Sequence, residues 1–313
     1  MSGEPTDVAV HTEASAFEDF VAGNFGGMAN VLVGQPLDTI KVRLQLDNGR
    51  FKGAWDCTVQ TIKNEGFLAL YKGMASPLFG IGAVNALLFA ANSSIKKNMQ
   101  EYPGQVLSIG QIAIAGAGAG VVNSVLASPV ELLKIKMQAQ FGSKAIGKER
   151  YFSGPIDCAK YLVQQHGVAN GLFRGMWATV LREIPAYAGF YAGFEATKRQ
   201  LVKDQDEHAN IMQLMAAGAV GGIGYWVCCY PLDVIKSVVQ NQALPPTGFY
   251  VTRVMKQIVA RDGISGLFRG IAPTILRSIP AAGATFTAYE LTIRAFQSDG
   301  LKWRKEVGVQ LSE

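Results

Sequence analysis

The chain has 313 residues, of which 49% are hydrophobic and 17% charged, and it contains 35 glycines. Because an average soluble domain has about 25% charged residues, this composition favours a membrane protein with closely packed helices, although composition alone leaves a hydrophobic soluble enzyme open. The net charge of +5 comes from basic residues spread along the chain, which argues against nucleic-acid binding, where positive charge concentrates on one face or in a tail.

The N-terminal residues do not have the pattern of a targeting segment. Transit peptides are rich in arginine and poor in acids, and secretory signals have an apolar core. The first twenty residues instead contain five acids, at positions 4, 7, 13, 18 and 19. We therefore expect a tail over residues 1–16 and targeting information inside the mature chain.

Six apolar stretches follow the tail, at residues 17–45, 74–98, 109–138, 176–198, 209–240 and 271–296. Each is long enough for a bilayer helix, which needs about 20 residues. Because glycine, proline or a charged residue interrupts each one, they are expected to form a bundle around a polar cavity. The glycine-rich run at 116–120 lacks the GxGxxG spacing and a preceding strand, so a dinucleotide site is not predicted.

The first, third and fifth stretches share one pattern of four residues. It consists of Pro36, Asp38, Lys41 and Gln45, then of Pro129, Glu131, Lys134 and Gln138, and then of Pro231, Asp233, Lys236 and Gln240. The copies lie roughly 100 residues apart, which predicts three tandem repeats. A proline inside a helix removes a hydrogen bond and bends the helix, while an acid and a lysine three residues apart share one helix face.

A second pattern follows each copy of the first. An aromatic residue, a basic residue and a glycine occur at Tyr71–Gly73, Phe173–Gly175 and Phe268–Gly270. An acid followed by glycine precedes this element in the first and third copies, at Glu65 and Asp262, whereas the middle copy has His166.

These motifs resemble the mitochondrial carrier family (solute carrier family 25), whose signature is Px[DE]xx[KR] with a later glycine-aromatic-basic-glycine element, in triplicate. The likeness runs from about Phe17 to Phe296 and is strongest to the amino-acid/carnitine branch, in particular to fungal Ymc-type carriers. It implies an all-α membrane protein with six transmembrane helices in three tandem two-helix repeats, pseudo-threefold symmetry and three short matrix helices. We place the repeats at 17–104, 105–203 and 204–298, with a C-terminal tail at 299–313.

The same resemblance implies a monomer in the mitochondrial inner membrane, with both termini toward the intermembrane space and cardiolipin as a lipid partner. Backbone N–H groups at helix starts favour phosphate. The nominated lipid-binding positions are Gly73, Gly175 and Gly270 with their neighbours.

By analogy with the family, the repeated charges form a matrix gate in which each acid meets the lysine of a neighbouring repeat. The predicted pairs are Asp38 with Lys134, Glu131 with Lys236, and Asp233 with Lys41. Gln45, Gln138 and Gln240 are placed to brace these pairs, and Pro36, Pro129 and Pro231 are the helix kinks. The alternative is three ordinary surface pairs, each worth a few tenths of a kcal/mol.

The family's opposite, cytoplasmic gate is incompletely represented in this sequence. The predicted members are Lys96, Glu195, Lys198 and Glu290. Ser93 occupies one acidic position of the family pattern and Ile293 one basic position, so we expect one or two bridges there instead of three.

Three charged residues lie deep in the predicted spans: Arg182, Glu183 and Arg277. Charges at the membrane centre cost about 2.5–3.5 kcal/mol each on insertion scales, so these residues are functional candidates. Repeat symmetry puts Gly80 at the same depth. The resemblance implies that these are substrate contact points, with arginine binding a carboxylate and Glu183 facing an ammonium. The alternative is an internal Arg182–Glu183 ion pair that only holds helices together.

Two further positions refine the expected substrate. Trp226 resembles the tryptophan of ornithine and carnitine carriers and either stacks on a cation or packs in the core. Val84 and Asn85 occupy the place of a Glu-Asn pair in ornithine carriers, and the uncharged Val84 argues against a dibasic substrate.

The sequence therefore predicts an antiporter that moves a zwitterionic metabolite, an amino acid or carnitine and its esters, by alternating access against a counter-substrate. No nucleophile–base grouping, metal site or cofactor motif is present. The three histidines, His11, His166 and His208, lie outside the predicted spans, and the four cysteines form no CxxC motif. The alternatives are an uncoupling-type proton or anion leak in the same fold, and a carrier-like adaptor that does not transport.

Overall fold

The computed structural model describes residues 16–47, 49–102, 105–141, 150–202, 211–244, 247–248 and 250–306. Apart from residue 16, the predicted N-terminal tail lies outside the described residues, as do residues 307–313 of the predicted C-terminal tail. His11 and His208 also fall outside them.

All regular structure in the described part of the chain is helical. Six long helices are α1 (Ala16–Gln45), α3 (Ala75–Met99), α4 (Ile109–Ala139), α6 (Met176–Leu201), α7 (Ile211–Asn241) and α9 (Ile271–Glu306). Three shorter helices are α2 (Ala54–Glu65), α5 (Pro155–Leu172) and α8 (Tyr250–Asp262), and 3₁₀ turns cover Phe67–Tyr71 and Ile264–Phe268. The order long, short, long therefore occurs three times, as predicted.

The six long helices form a closed ring. Each contacts the next long helix along the chain, and α9 returns to contact α1. Glycines permit close approach at several contacts. At the α6–α7 contact, a Cβ atom added to either Gly189 or Gly224 would lie 2.7 Å from the carbonyl oxygen of the other. Such small-residue contacts are typical of membrane helix bundles.

The short helices pack at one end of the ring, called here the short-helix side. Each packs against the end of α1, α4 or α7 through its own apolar cluster. In the first repeat the cluster contains Ile40, Cys57 and Leu70, and clusters around Leu132 and Val234 occupy the same place in the other two. Pro36, Pro129 and Pro231 lie inside α1, α4 and α7, which continue beyond them to this packed end.

Three helical segments are apolar and long enough to cross a membrane by length and composition: Phe67–Met99, Ile109–Ala139 and Met212–Asn241. The other long helices, α1, α6 and α9, have a more polar composition, which includes the functional candidates Arg182, Glu183 and Arg277. Polar spanning helices are tolerated where they face a bundle interior. The six long helices thus form the six-helix membrane fold that the sequence predicts.

Candidate functional site

Three ion pairs lie inside the ring, toward the short-helix side. Lys41 Nζ is 2.7 Å from Asp233 Oδ2, Lys134 Nζ is 2.5 Å from Asp38 Oδ2, and Lys236 Nζ contacts Glu131 Oε2. The structure thus brings together all three predicted pairs, and each pair joins two of the helices α1, α4 and α7. The Lys236 and Asp233 side chains are only 2% and 5% exposed. The Glu131 and Lys134 side chains are 27% and 20% exposed, so these are partly to almost fully buried pairs between helices rather than surface pairs within one helix.

Only one of the three predicted brace glutamines contacts an ion pair. Gln45 Nε2 donates to Asp233 Oδ2 over 2.9 Å. Gln138 and Gln240 instead donate to the hydroxyls of Thr39 and Thr179, over 3.1 and 3.3 Å. The Thr39 hydroxyl donates its own proton to a backbone carbonyl, so its oxygen is available to accept from the amide.

Arg182 and Glu183 lie above the ion pairs on α6 and are almost completely buried. Their side chains contact each other directly. Arg182 also reaches two acids of the ring, since its Nε is 3.4 Å from Asp233 Oδ1 and its Nη2 is 3.8 Å from Glu131 Oε1. The Arg182–Glu183 pair considered above as an alternative is present, and it is joined to the ring.

Arg277 on α9 makes the corresponding connection to the third acid. Its Nη1 is 3.0 Å from Asp38 Oδ1. Its Nη2 donates to Asn30 Oδ1 over 3.0 Å, and the Asn30 amide donates to the Thr285 hydroxyl over 3.0 Å. Asn30 was missed by the sequence analysis. The amide side chains inside the first apolar stretch, of which Asn30 is one, were the available signal.

Aromatic rings cover one side of the cations. Lys41 Nζ lies 4.0 Å from the centre of the Trp226 ring. The Arg182 guanidinium carbon lies 5.0 Å from the Tyr225 ring centre and 5.8 Å from that of Trp226. Trp226 thus stacks on a cation, and in this conformation the cation is a lysine of the ring. Tyr225 is a neighbour that the sequence pattern did not identify.

A cavity of about 200 Å³ opens onto this cluster. All six residues of the three ion pairs line it, together with Trp226 and Arg277.

Three buried polar atoms of the deep charged residues make no hydrogen bond, and of these residues Arg277 lines the cavity whereas Arg182 and Glu183 do not. The three atoms are Arg182 Nε, Arg277 Nε and Glu183 Oε2. Buried polar atoms in native structures are nearly always paired, and an unpaired one requires an explanation such as a ligand. Here two are donors on cations and one is an acceptor on an anion.

The predicted contact residues on α3 lie apart from this cavity. A Cβ atom added to Gly80 would lie 2.8 Å from Val130 of α4, so Gly80 is a helix contact. The Asn85 amide nitrogen lies 3.5 Å from the Cβ position of Gly27 on α1. Val84 is half-buried. None of the three belongs to the cavity lining, because α3 turns these faces toward its neighbours α4 and α1.

The opposite end of the ring carries no comparable set of pairs. Glu195 pairs with Arg199 at 2.7 Å and Glu290 with Arg294 at 2.8 Å, each within one helix. Lys96 Nζ lies 5.4 Å from the Tyr191 ring centre. Within the described ranges, none of Lys96, Glu195, Lys198 and Glu290 forms an ion pair with another helix. These four residues therefore do not connect the helices by ion pairs in the described part of the chain, whereas the three pairs at the short-helix side do.

Gly73, Gly175 and Gly270 precede α3, α6 and α9 with positive φ angles of 79°, 74° and 83°. Non-glycine residues rarely adopt this conformation. Added Cβ atoms would also lie 2.7 Å from Lys134 O and 3.1 Å from Lys41 O at the first and third positions. The fold therefore requires glycine here, independently of the predicted lipid contact.

The basic residues before these glycines bind backbone carbonyl groups just beyond the ends of α4, α7 and α1. Lys72, Arg174 and Arg269 donate to Gln140, Ala243 and Asp47, over 3.4, 3.1 and 3.1 Å. Cations favour helix C-termini. Glu65 completes the first copy by pairing with Lys72 and, at 2.7 Å, with Arg43. Burial would raise the pKa of Glu65, but the hydrogen bonds and charges of these two cations outweigh it and lower the pKa.

Comparison with known proteins gives a consistent result. A sequence model of the mitochondrial carrier protein family matches residues 12–103, 105–205 and 207–300. The mitochondrial glycine transporter YMC1 of Saccharomyces cerevisiae is 39% identical over 91% of this chain and 93% of its own. The mitochondrial carnitine/acylcarnitine carrier-like protein of Arabidopsis thaliana is 38% identical over 89% and 98%, respectively. The mitochondrial basic amino acids transporter of Rattus norvegicus is 35% identical over 88% of each chain.

Proposed function

The chain belongs to the mitochondrial carrier family, and from this premise we propose that it exchanges small zwitterionic metabolites across the inner membrane. It is a multi-pass carrier of small molecules and not an enzyme. The relatives named for glycine, for carnitine/acylcarnitine and for basic amino acids are consistent with a zwitterion.

The three buried atoms without a hydrogen-bond partner are the observation that carries this proposal. Arg182 Nε and Arg277 Nε are donors without a hydrogen-bond partner, although Arg182 Nε lies 3.4 Å from Asp233 Oδ1, and Glu183 Oε2 is an acceptor without a hydrogen-bond partner. A substrate carboxylate accepts from arginine, with geometry that favours two parallel hydrogen bonds. A substrate ammonium donates to a carboxylate. A molecule that carries both groups complements all three atoms.

A small amino acid suits the site best, because the cavity measures only about 200 Å³ in this conformation. Carnitine is the second candidate. Its quaternary ammonium cannot donate a hydrogen bond to Glu183, but aromatic faces attract such groups. Tyr225 and Trp226 present two of these faces beside Arg182.

We propose that substrate binding opens the matrix gate by competition. In the closed state Arg277 contacts Asp38, and Arg182 contacts Glu131 and Asp233. A substrate carboxylate that binds these arginines withdraws them from the ring acids and weakens all three helix connections. Ligands shift a conformational equilibrium only by binding one state better, and this competition favours the open state.

The same arrangement argues for antiport over leak. Opening without substrate would separate buried charges and leave them unpaired, which is strongly unfavourable. With substrate present, its charges replace the lost partners. In this proposal the end of the ring opposite the short-helix side faces the intermembrane space, as do both chain termini. The transporting unit is a monomer. Cardiolipin phosphates bind near Gly73, Gly175 and Gly270.

Counter-flow in proteoliposomes tests the proposal. Purified protein is reconstituted with unlabelled glycine inside, and uptake of labelled glycine, carnitine and lysine is measured. We expect uptake of a zwitterion that depends on internal zwitterion, and no proton leak detectable with an internal pH dye. Arg182→Ala should abolish uptake, and Glu183→Gln should raise KM. Lys97→Ala, which changes an exposed cation of α3, is the matched control and should retain uptake.

Two results would contradict the proposal. Undiminished uptake by the Arg182→Ala variant would show that the proposed zwitterion site does not bind the substrate. Uptake independent of internal substrate, or a proton leak by wild type, would favour a uniporter or an uncoupling protein instead.

A further inference from the structure

The short-helix side repeats one charged arrangement three times, and the middle copy lacks its acid. In the first copy Glu65 pairs with Lys72, and in the third Asp262 lies 3.4 Å from Arg269. His166 holds the corresponding position of the second copy, ahead of Arg174. The second copy therefore has the basic residue without the carboxylate that neutralises it elsewhere.

Arg174 is buried with an incomplete set of partners. The residue is 2% exposed. Its Nη1 donates to the backbone carbonyls of Gln242 and Ala243. Its Nε and Nη2 have no hydrogen-bond partner, and no carboxylate of the described residues forms an ion pair with it. Burial of an uncompensated charge is costly, so a counter-ion at this place would stabilise the fold.

A cavity of about 170 Å³ lies between the ends of α4, α5 and α7, and Arg174 reaches its wall through the Ala243 carbonyl without lining the cavity itself. Lys136, Arg150, His166 and Ala243 line it, and Ala243 is the residue whose carbonyl accepts from Arg174. Lys136 holds the end of α7 through the Asn241 carbonyl, at 2.7 Å. Arg150 is half exposed and has one acidic neighbour, Asp157 of α5, at 2.8 Å.

Lys136 and Arg150 line the cavity together with His166, so its lining is rich in basic side chains. Burial lowers the pKa of His166, and the charges of Arg174 and Lys136 lower it further. Two cations therefore act on the imidazole. In the first copy the corresponding cations, Arg43 and Lys72, share the carboxylate of Glu65.

We propose that the cavity between α4, α5 and α7 binds a phosphate group, which supplies the negative charge that Glu65 and Asp262 supply in the other repeats. A phosphate offers several acceptor oxygens and up to two charges to Lys136 and Arg150, which line the cavity, and its charge also compensates that of nearby Arg174. Free inorganic phosphate and a lipid headgroup both supply this chemistry. Bound there, the phosphate group ties the second repeat to the end of α7. This site is separate from the zwitterion site and does not depend on it.

A matched pair of substitutions at one position tests the proposal. The melting temperature of the purified full-length protein in detergent is followed against inorganic phosphate, with chloride at equal ionic strength as reference. Wild type and His166→Gln should show a saturable rise, because ligand binding stabilises the folded state. His166→Glu should melt higher without phosphate and show no phosphate-dependent rise, because its carboxylate replaces the ligand.

Reconstitution distinguishes the two sources of phosphate. Wild type in phosphatidylcholine vesicles should respond to inorganic phosphate in either case. If a lipid phosphate occupies the site, adding phosphatidylglycerol should remove this response in wild type, whereas a site for free phosphate keeps it.

The proposal is wrong if phosphate gives wild type no more stabilisation than chloride, or if His166→Glu responds as wild type does. Should His166→Glu fail to fold, Arg150→Gln changes a half-exposed side chain and is expected to fold. It should weaken phosphate binding about tenfold, as expected for the loss of one charge-assisted hydrogen bond. An unchanged affinity would overturn the assignment.

Discussion

The two partners of the Asp233–Lys41 ion pair should differ in the cost of their removal. Asp233 forms ion pairs with Lys41 at 2.7 Å and with Arg182 at 3.4 Å, and it accepts a hydrogen bond from Gln45 over 2.9 Å. Asp233→Asn therefore leaves two buried cations short of a counter-charge, and breaking a buried pair costs about 3–5 kcal/mol. Lys41→Met leaves Asp233 with Arg182 and Gln45, so we expect a smaller cost, about 1–3 kcal/mol, similar to an unsatisfied buried hydrogen bond.

Thermal unfolding of the purified variants measures this asymmetry. At about 2 °C per kcal/mol, Asp233→Asn should lower the melting temperature by about 6–10 °C and Lys41→Met by about 2–6 °C. Arg294→Gln changes a pair whose arginine is 70% exposed, so its melting temperature should stay within about 2 °C of wild type. Equal shifts for the two gate variants, or shifts as small as that of Arg294→Gln, would refute the three-partner arrangement around Asp233.

The remaining predictions concern other parts of the bundle. Contacts with Arg43 and Lys72 outweigh burial and lower the pKa of Glu65. The ionised Glu65 side chain therefore stabilises the fold above its ordinary pKa of 4.5, and this stabilisation is lost as the pH falls through the lowered pKa. Melting curves of Glu65→Gln should therefore lie below wild type at pH 7 and converge with it in acid. A Cβ atom at Gly34 would overlap the Arg277 guanidinium, so Gly34→Ala should raise KM several-fold and lower the melting temperature by no more than about 4 °C, which counter-flow and unfolding curves check. Burial raises the pKa of both Cys57 and Cys158 to about 11, so a polar maleimide at pH 7.4 should label these thiols only after unfolding, as mass spectrometry would show.

The ion pairing between α1, α4 and α7 was predicted in two steps. Three equally spaced copies of Pro, acid and Lys define three equivalent helices, and the resemblance to the carrier family implied which neighbouring lysine each acid meets. The structure has these partners, with Asp38 beside Lys134 and Asp233 beside Lys41. The alternation of long and short helices followed in the same way from the spacing of the two motifs.

Outside the three gate pairs, the hydrogen-bond or ion-pair partner of each individual side chain could not be predicted from the sequence. Repeat symmetry gives Gln45, Gln138 and Gln240 the same depth, but only Gln45 reaches an acid, because threonine hydroxyls on adjacent helices lie within reach of the other two. The contact from Arg182 to Asp233 depends on how a long side chain crosses between α6 and α7. Side-chain direction across a helix contact is set by packing, which a periodic pattern does not contain.

The charge of the central cluster bears on which zwitterion fits. Five bases, the three gate lysines with Arg182 and Arg277, face four acids, the three gate acids with Glu183. The cluster therefore has one net positive charge in a buried setting, where Coulomb interactions are stronger than in water. A substrate with no net charge, oriented with its carboxylate toward the arginines, leaves that balance unchanged. A dibasic amino acid would bring a second uncompensated charge, and Val84 on α3 supplies no acid to receive it. On these grounds we expect the proposed substrate site to favour a monoamino monocarboxylic acid, although one relative at 35% identity is named a basic amino acids transporter.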